Sequence, residues 1–248
     1  MLRYRAWGRL DRLLPSFAGE RWRLFHVLGW EDRATAAFEV LSGAGALNGS
    51  FLCRIAPPQE ARRSLFEANR VPRQNIVAAR MRQLAGQDLH PEDIHFDVGI
   101  GELRALSKRV AHGAGGKIIF DISSCPKRFF FPLLKDLLRD STVTDLLATY
   151  AVTTGYADGV LAEDFRGWDA LPMFGGSVPS EPDEALFVGV GYMPMGLPES
   201  LNGNRSNLKI RLILPFPPGP PSYKRTWQFA HEISSVVGPG ADLEIVRI

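Results

Sequence analysis

Three acidic residues lie within or directly after apolar runs, where α/β proteins often assemble a reactive site. Glu31 and Asp32 follow the run 23–30, and Asp121 lies within the run 118–122. A pair of carboxylates can act as general acid and general base, or hold a divalent cation. A buried carboxyl group can be tuned for catalysis by a raised pKa. Glu31, Asp32 and Asp121 are therefore the candidate catalytic residues, and the cofactor is unknown apart from a divalent cation that they could hold.

Each of these carboxylates also has a structural interpretation. Asp32 is placed to cap the helix that follows it, and Glu31 is placed to pair with Arg33. Asp121 is placed to hold the Ser-Ser turn that comes next. These alternatives stay open on the sequence alone.

A second cluster brings hydroxyl groups and cations to the start of a predicted helix. In the segment 123–126, Ser-Ser-Cys-Pro, a serine can cap the helix, and the proline gives up an N–H that has no partner. Unpaired N–H groups at a helix N-terminus attract anions, and Lys127 and Arg128 would reinforce the attraction. The alternative is that Ser124 only caps the helix and both cations are solvated.

Tyr150 and Tyr156 lie in or near an irregular segment at 153–184. Their rings could stack on a base or a sugar, or pack in the core. The candidate ligand-binding residues are Arg33, Ser123, Ser124, Lys127, Arg128, Tyr150 and Tyr156.

The elements that must position these residues have the pattern of an α/β protein. Strands are predicted at 23–30, 50–55, 95–100, 118–122, 143–152, 185–192, 208–214 and 243–248. Helical patterns alternate with them, which predicts a mainly parallel, Rossmann-like sheet with helices on both faces. Ligands bind beyond the carboxyl ends of the strands in such sheets. If the first strand, at 23–30, and the central strand, at 118–122, are neighbours, the two polar clusters meet at the carboxyl ends of these strands.

We predict a single α/β domain over residues 1–248, with an N-terminal lead-in at 1–22 and a long irregular insertion at 153–184. The net charge of +2 indicates no partner by itself, but the charges are unevenly distributed. The segment 54–82 has seven arginines against two acids, and the segment 158–184 has seven acids against one arginine. These segments could bind an anionic ligand and a protein partner, or be two solvated surfaces.

Several classes of protein do not fit the sequence. No apolar run approaches the roughly 20 residues that span a bilayer, so no membrane is expected. The two cysteines, Cys53 and Cys125, lie in or beside apolar runs, which is typical of buried thiols in the cytoplasm. The histidines and cysteines have no metal-ligand spacing, and neither a dinucleotide-binding glycine motif nor a Walker loop is present.

Two motifs together carry a resemblance to a known family. Gly-Trp-Glu-Asp-Arg at 29–33 and Asp-Ile-Ser-Ser-Cys-Pro-Lys-Arg at 121–128 resemble the motifs of a sparsely characterised bacterial family of Rossmann-type chains. Proteins of this family often look linked to anti-phage defence. The resemblance implies one site containing Glu31, Asp32, Arg33, Asp121, Ser123, Lys127 and Arg128. This chain departs from the pattern at 191–194, where Gly-Tyr-Met-Pro stands in place of a second Gly-aromatic-Glu.

Two hypotheses of function follow. The first is a hydrolase that acts on a phosphoester or an N-glycosidic bond of a nucleotide or a nucleic acid. The second is a non-catalytic subunit of a defence or regulatory complex, which senses a nucleotide in the same site and docks a protein partner through the acidic segment 158–184. Perturbed carboxylates in an open cleft would favour the first hypothesis, and carboxylates locked in salt bridges would favour the second.

Overall fold

A computed structural model gives the fold, and it describes residues 8–17, 19–56, 70–85, 89–152, 170–175, 185–189, 209–214, 228, 230–235 and 242–247. The chain divides into two compact units. The first comprises Met1–Thr153 and Leu171–Gly175, and the second comprises Thr154–Ala170 and Gly176–Ile248. The sequence prediction of a single α/β domain over the whole chain stays a prediction.

The first unit is built on a five-stranded parallel sheet. Its strands are β1 (Trp22–Val27), β2 (Leu47–Ala56), β3 (Glu92–His95), β4 (Lys117–Asp121) and β5 (Asp145–Thr149). They lie in the order β3-β2-β1-β4-β5. The chain therefore moves outward from β1 on one side and then returns to pair β4 with its other side, as in Rossmann-like folds. The predicted α/β fold with a parallel sheet is confirmed.

Helices connect these strands and cover the sheet. They are α1 (Leu10–Leu13) with a 3-10 turn (Leu14–Phe17), a second 3-10 turn (Asp32–Thr35), α2 (Ala36–Gly43), α3 (Val71–Ala85), α4 (Ile100–Ala111) and α5 (Lys127–Leu137). A parallel crossover begins at the carboxyl edge of the sheet and ends at the amino edge. The N-terminal ends of α2, α3, α4 and α5 accordingly belong to the edge where the candidate site was predicted.

The core lies on both faces of this sheet, as the alternation of side chains along a strand requires. Leu24 faces α2 and packs with Phe38, whereas the next residue, Phe25, faces α4 and α5 and packs with Phe129. Phe25 also meets Phe120 of β4 edge to face, with ring centroids 4.5 Å apart. The two central strands are thus buried on both sides, which explains their continuous apolar sequence.

Two predicted elements are corrected by the structure. The third strand, predicted at 95–100, is β3 (Glu92–His95), and α4 already begins at Ile100. β3 is an edge strand, so it tolerates polar residues and its only buried side chain is Ile94. A periodicity search therefore finds no apolar signal there.

The apolar stripe of α5 is also shifted from its predicted position. The apolar residues at spacings of three and four in this segment predict a stripe of Phe130, Leu133, Leu134, Leu137 and Leu138. In the structure Leu133 and Leu137 are buried and Phe130 and Leu134 pack partly buried against the core, but Phe129 and Pro132 are buried as well. Leu138 is 53% exposed because it follows the end of the helix. The buried face of α5 therefore begins at Phe129, one residue before the start of the predicted stripe, and keeps the spacing of three and four residues.

The second unit contains a three-stranded parallel sheet in the order β6-β7-β8. Its strands are β6 (Ala185–Gly189), β7 (Lys209–Leu214) and β8 (Asp242–Arg247). Helical residues at 230–235 contribute Ala230 and Ile233 to its small core. In the part of the chain that the structure describes, no helix is long and apolar enough to cross a bilayer. Most of the predicted insertion at 153–184 lies outside the described residues, so it stays a prediction.

Candidate functional site

The two polar clusters come together at the carboxyl edge of the sheet. β1 and β4 are neighbours, with Arg23, Leu24 and Phe25 in register with Ile118, Ile119 and Phe120. The segments that follow them, 28–33 and 122–126, therefore leave the sheet side by side. This is the point at which the strand order reverses, and open α/β sheets bind their ligands there. The condition stated for the sequence prediction, that the first and central strands are neighbours, is met.

Asp121 and Ser123 form a buried hydrogen-bonded turn at the centre of this edge. Asp121 Oδ1 accepts hydrogen bonds from the backbone N–H of Ser123, at 3.1 Å, and from the Ser123 hydroxyl. Ser123 Oγ in turn accepts the backbone N–H of Ala151, at 2.8 Å, from the segment after β5. The turn after β4 is thereby tied to the end of β5. Asp121 thus fills the structural role that the sequence left open.

The protonation of Asp121 is perturbed by its surroundings. Only 3% of the residue is exposed, and this burial raises the pKa of its carboxyl group above the ordinary value. The two hydrogen bonds from Ser123 and the positive charge of Arg33 act in the opposite direction. A buried carboxyl group with a raised pKa is typical of functional sites, but this one is covered, so it acts on the edge through Ser123, with which it is hydrogen-bonded.

Arg33 joins two segments of the edge. Its Nε donates to the carboxylate of Glu31, and its Nη1 donates to the hydroxyl of Tyr150 at 2.8 Å and to the carbonyl of Ala151 at 3.3 Å. The guanidinium also lies over the ring of Tyr150, 5.3 Å from its centroid. The loop after β1 and the segment after β5 are held together by this one side chain. The predicted alternative in which Glu31 pairs with Arg33 is thus present in the structure.

Four polar side chains of the predicted set face solvent at this edge. Glu31 keeps 44% of its side chain exposed despite its ion pair, and Asp32, Lys127 and Tyr150 are exposed. Asp32 does not cap the following helix: the residue before the 3-10 turn is Glu31, and its side chain makes no capping hydrogen bond. The open surface therefore presents two carboxylates, one ammonium group and one phenol ring.

The predicted capping of α5 by a serine is wrong, whereas the anion site at the start of this helix stays a prediction. The helix begins at Lys127 and its N-cap is Pro126, which makes no side-chain capping bond, so neither Ser123 nor Ser124 caps it. Ser123 is committed to Asp121 and Ala151, and Ser124 packs against Gly29.

Arg128 and Tyr156 also differ from the rest of the predicted set. Arg128 Nε donates to the carbonyl of Phe96 at 3.2 Å, and its guanidinium lies 6.0 Å from the centroid of that ring. Its Nε thus holds the segment after β3, and its assignment as a ligand-binding residue stays a prediction. Tyr156 lies outside the described residues, so its assignment to the site stays a prediction.

Sequence reasoning missed two neighbours of the site that come from α3 and the residue before it. Gln74 is buried and donates from Nε2 to the carbonyl of Leu28, at 3.1 Å, directly before the loop that carries Glu31. The guanidinium of Arg70 lies over the ring of Trp30, 4.3 Å from its centroid. A glutamine among the apolar positions Val77 and Met81 was the one available signal, because a buried amide needs a partner.

A metal-binding cluster or a cavity could also have indicated a site. Among the described residues, no group of three or more histidine, cysteine, aspartate and glutamate side chains is arranged to hold a metal ion. A cavity of about 640 Å³ lies away from the carboxyl edge, with Leu14, Phe17, Val40 and Ala46 in its lining. Among the described residues, the carboxyl edge is formed by the segments that follow β1, β4 and β5.

Comparisons with known proteins add no assignment to this geometry. No protein-family model matches the chain, and no curated protein is a significant match to it. The resemblance based on the two motifs at 29–33 and 121–128 therefore stays a prediction.

Proposed function

We propose that the chain is a nucleotide- or nucleic-acid-processing enzyme that hydrolyses a phosphoester or an N-glycosidic bond at the carboxyl edge of β1, β4 and β5. The observation that carries the proposal is the position of Glu31 and Asp32. These exposed carboxylates stand at the strand-order reversal, beside the Arg33–Tyr150 pair. A link to anti-phage defence and a location in the bacterial cytoplasm, both expected from the sequence, are part of this proposal.

Each exposed group has a role that its chemistry allows. Tyr150 offers a ring on which a base can stack, because 54% of the residue's surface is exposed. Lys127 and Arg33 supply positive charge for a phosphate. One of Asp32 and Glu31 serves as the general base that takes a proton from the attacking water and the other as the general acid that donates a proton to the leaving group, or the two together bind a divalent cation. Asp121 is a positioning residue in this scheme, since it acts through Ser123 and Arg33.

The Glu31–Arg33 ion pair favours a second candidate function. A carboxylate that neutralises the neighbouring arginine is less available as a base, which suits a subunit that binds a nucleotide without transforming it. Such a subunit would sense a nucleotide for a multi-component complex. The two functions share the binding site and differ only in turnover.

The test combines binding with product analysis. A thermal-shift screen would use AMP, dTMP, ATP and short DNA and RNA oligonucleotides, each with and without Mg²⁺, because a ligand that binds the native state raises Tm. The variants are Lys127→Ala, Glu31→Gln and Asp32→Asn. Asp145→Asn is the matched control, since Asp145 is an exposed carboxylate at the start of β5, on the opposite edge of the sheet.

We expect a rise in Tm with wild type and with Asp145→Asn, and a smaller rise with Lys127→Ala. Chromatography of the incubated nucleotide then separates the two functions. Product that forms with wild type and is lost with Glu31→Gln or Asp32→Asn supports the enzyme, and binding without product supports the sensor. A wild-type chain that none of these ligands stabilises would refute both.

A further inference from the structure

We propose that the outer surface of α3 binds the phosphate backbone of a single-stranded nucleic acid and leads the strand to the carboxyl edge of the sheet. This inference rests on the proposed function, because it names a polymer as the substrate class of the same site. It arises from the exposed arginines of α3, which belong to the arginine-rich segment 54–82 and are not among the residues of the candidate site. Four observations support it: the charge of α3, its connection to the site, the positions of its arginines, and the chemistry of its exposed side chains.

From Val71 onward this segment forms α3, a helix with one sign of charge. The 15 residues of α3 include Arg73, Arg80 and Arg82, all exposed, and no acidic residue. Arg80 is partly neutralised by Glu39 of α2, at 2.7 Å. Arg73 makes no ion pair with any residue that the structure describes, and Arg82 only approaches the carbonyl of Ala78 in its own helix, at 3.4 Å. Two guanidinium groups thus remain for an external anion.

The helix is connected to the candidate site at its N-terminal end. Gln74 holds the loop after β1 through the carbonyl of Leu28, and Arg70 lies on the ring of Trp30 in that loop. Trp30 directly precedes Glu31 in the chain. The surface of α3 is therefore continuous with the segment that carries the exposed carboxylates.

The positions of the arginines suit an extended polyanion. Arg73 and Arg82 are nine residues apart, about 13 Å along the axis at 1.5 Å per residue. Their positions around the helix place them on opposite sides of its exposed face, so a strand that runs along this face passes between them. Guanidinium groups match phosphate oxygens in pairs, which favours arginine over lysine for this contact.

The chemistry of the surface favours a nucleic acid over a membrane. The large apolar side chains exposed on α3 are Ile76, at 68%, and Leu84, at 40%. They do not form the continuous apolar face with which an amphipathic helix enters a bilayer. The rings of Trp30 and Tyr150 stand at the site end instead, and Tyr150, which is 54% exposed, can receive a base. Positive charge followed by stacking rings is the usual arrangement of single-strand binding surfaces.

The test compares a polymer with its monomer. Fluorescence anisotropy of a labelled oligo-dT of about 16 nucleotides gives the Kd at several salt concentrations. The test variant is Arg73→Gln/Arg82→Gln. The matched control is Arg104→Gln/Arg139→Gln, which removes the same charge from exposed positions on α4 and just after α5, on the opposite face of the sheet. A thermal shift with dTMP reports the nucleotide site separately.

We expect the test variant to bind the oligonucleotide on the order of tenfold more weakly than wild type, with a salt slope lower by about 1.4 for two lost phosphate contacts. The control variant should bind like wild type, and the thermal shift with dTMP should be the same in all three proteins. Equal oligonucleotide affinity in the test variant and wild type would overturn the inference. Arginine-dependent binding to phosphatidylserine vesicles without oligonucleotide binding would also overturn it.

Failure of the inference and failure of the proposed function give different results. A wild-type chain that binds dTMP but not the oligonucleotide refutes the α3 surface and leaves the nucleotide site standing. Oligonucleotide binding that depends on Arg73 and Arg82 but yields no product supports the surface and refutes the hydrolase.

Discussion

Gly29, in the loop after β1, packs directly against the side chain of Ser124, in the turn after β4. A Cβ added at Gly29 would overlap Ser124 Oγ and lie 2.8 Å from Ser124 Cβ, closer than two carbon atoms can pack. The absence of a side chain at position 29 is therefore what allows the two halves of the candidate site to approach. The relationship joins the two sequence motifs across neighbouring strands.

The first prediction concerns this close approach. We expect Gly29→Ala to lower the free energy of unfolding by about 1–3 kcal/mol, because the new methyl group overpacks the interface with Ser124. Ser124→Gly in the same chain removes both overlapping atoms and should restore most of the loss. A double-mutant cycle by urea denaturation measures this coupling. Additive effects of the two substitutions would contradict the close packing.

Arg33 gives the second prediction. Arg33→Ala should lower the free energy of unfolding by about 1–3 kcal/mol, because it leaves the carbonyl of Ala151 and the carboxylate of Glu31 without their donor. Arg9→Ala is the matched control, since Arg9 also pairs with an acid two positions away, Asp11, but at the surface. Urea denaturation should show a clear loss for the first variant and no measurable change for the second. Equal stabilities would mean that Arg33 does not hold the edge.

The third prediction concerns Ser123. Ser123→Ala should destabilise the fold by about 1–3 kcal/mol near neutral pH, because the N–H of Ala151 loses its acceptor and Asp121 loses a donor. The lost hydrogen bond raises the pKa of Asp121 further, so the added cost applies only where Asp121 is ionised. The difference from wild type should therefore shrink as the pH falls through the raised pKa of Asp121. Ser123→Thr keeps the hydroxyl and should retain most of the stability; a constant difference at all pH values would contradict the role of the charge.

His26 gives a pH dependence of the opposite sign. It is fully buried on β1, stacks on Phe38 with ring centroids 5.8 Å apart, and shares a 2.6 Å hydrogen bond with Ser50 Oγ. Burial lowers the pKa of His26 to about 3. The unfolded chain takes up this proton below about pH 6.5 and the folded chain does not, so the stability falls as the pH decreases between these values.

The contribution of His26 should be about 2 kcal/mol at about pH 5, measured by urea denaturation across this range. His26→Gln removes the titration while it keeps a polar group near Ser50. As the pH falls, wild type should lose more stability than His26→Gln, because only wild type has the titrating group. Parallel pH profiles for the two proteins would show that His26 does not titrate with this shift.

Lys135 gives the last prediction. Its ammonium group donates to the carbonyl of Met173 and lies 4.3 Å from the ring centroid of Phe174, which also meets Phe131 at 6.1 Å. We expect Lys135→Ala to release the stretch 171–175 from α5, and hydrogen exchange should then show faster exchange of its amides. Lys127→Ala, an exposed lysine on the same helix, is the control and should leave that exchange unchanged. Equal exchange in both variants would mean that other contacts hold the stretch.

Much of the fold could be predicted because its strongest signals are local. The central strand was predicted at 118–122 and is β4 (Lys117–Asp121), since a strand buried on both faces has a continuous apolar sequence. β3 was misplaced because an edge strand needs little apolar surface. The strand order was not predictable, since pairing between β1 and β4 joins residues about 95 positions apart and depends on the whole sheet.

The sequence predicted many of the residues of the candidate site but not the contacts between them. The sequence placed Glu31, Asp32, Asp121 and Tyr150 near strand ends, and the structure brings these positions to one edge. It could not show that Arg128 is engaged by Phe96, because that partner lies 32 positions away on another crossover. It also could not show that Gln74 supports the loop after β1, because a hydrogen bond to a distant backbone carbonyl leaves no local pattern.

The sequence by itself determined that the chain is an α/β protein, and it determined which short polar segments follow the apolar strands. These properties depend on periodicity and composition within a few residues. Only the tertiary structure decided that β1 and β4 are neighbours, that Gly29 meets Ser124, and that Arg33 bridges to Tyr150. Such relationships depend on packing and hydrogen bonds between segments far apart in the chain. Each contact forms only when the rest of the fold brings its two segments together.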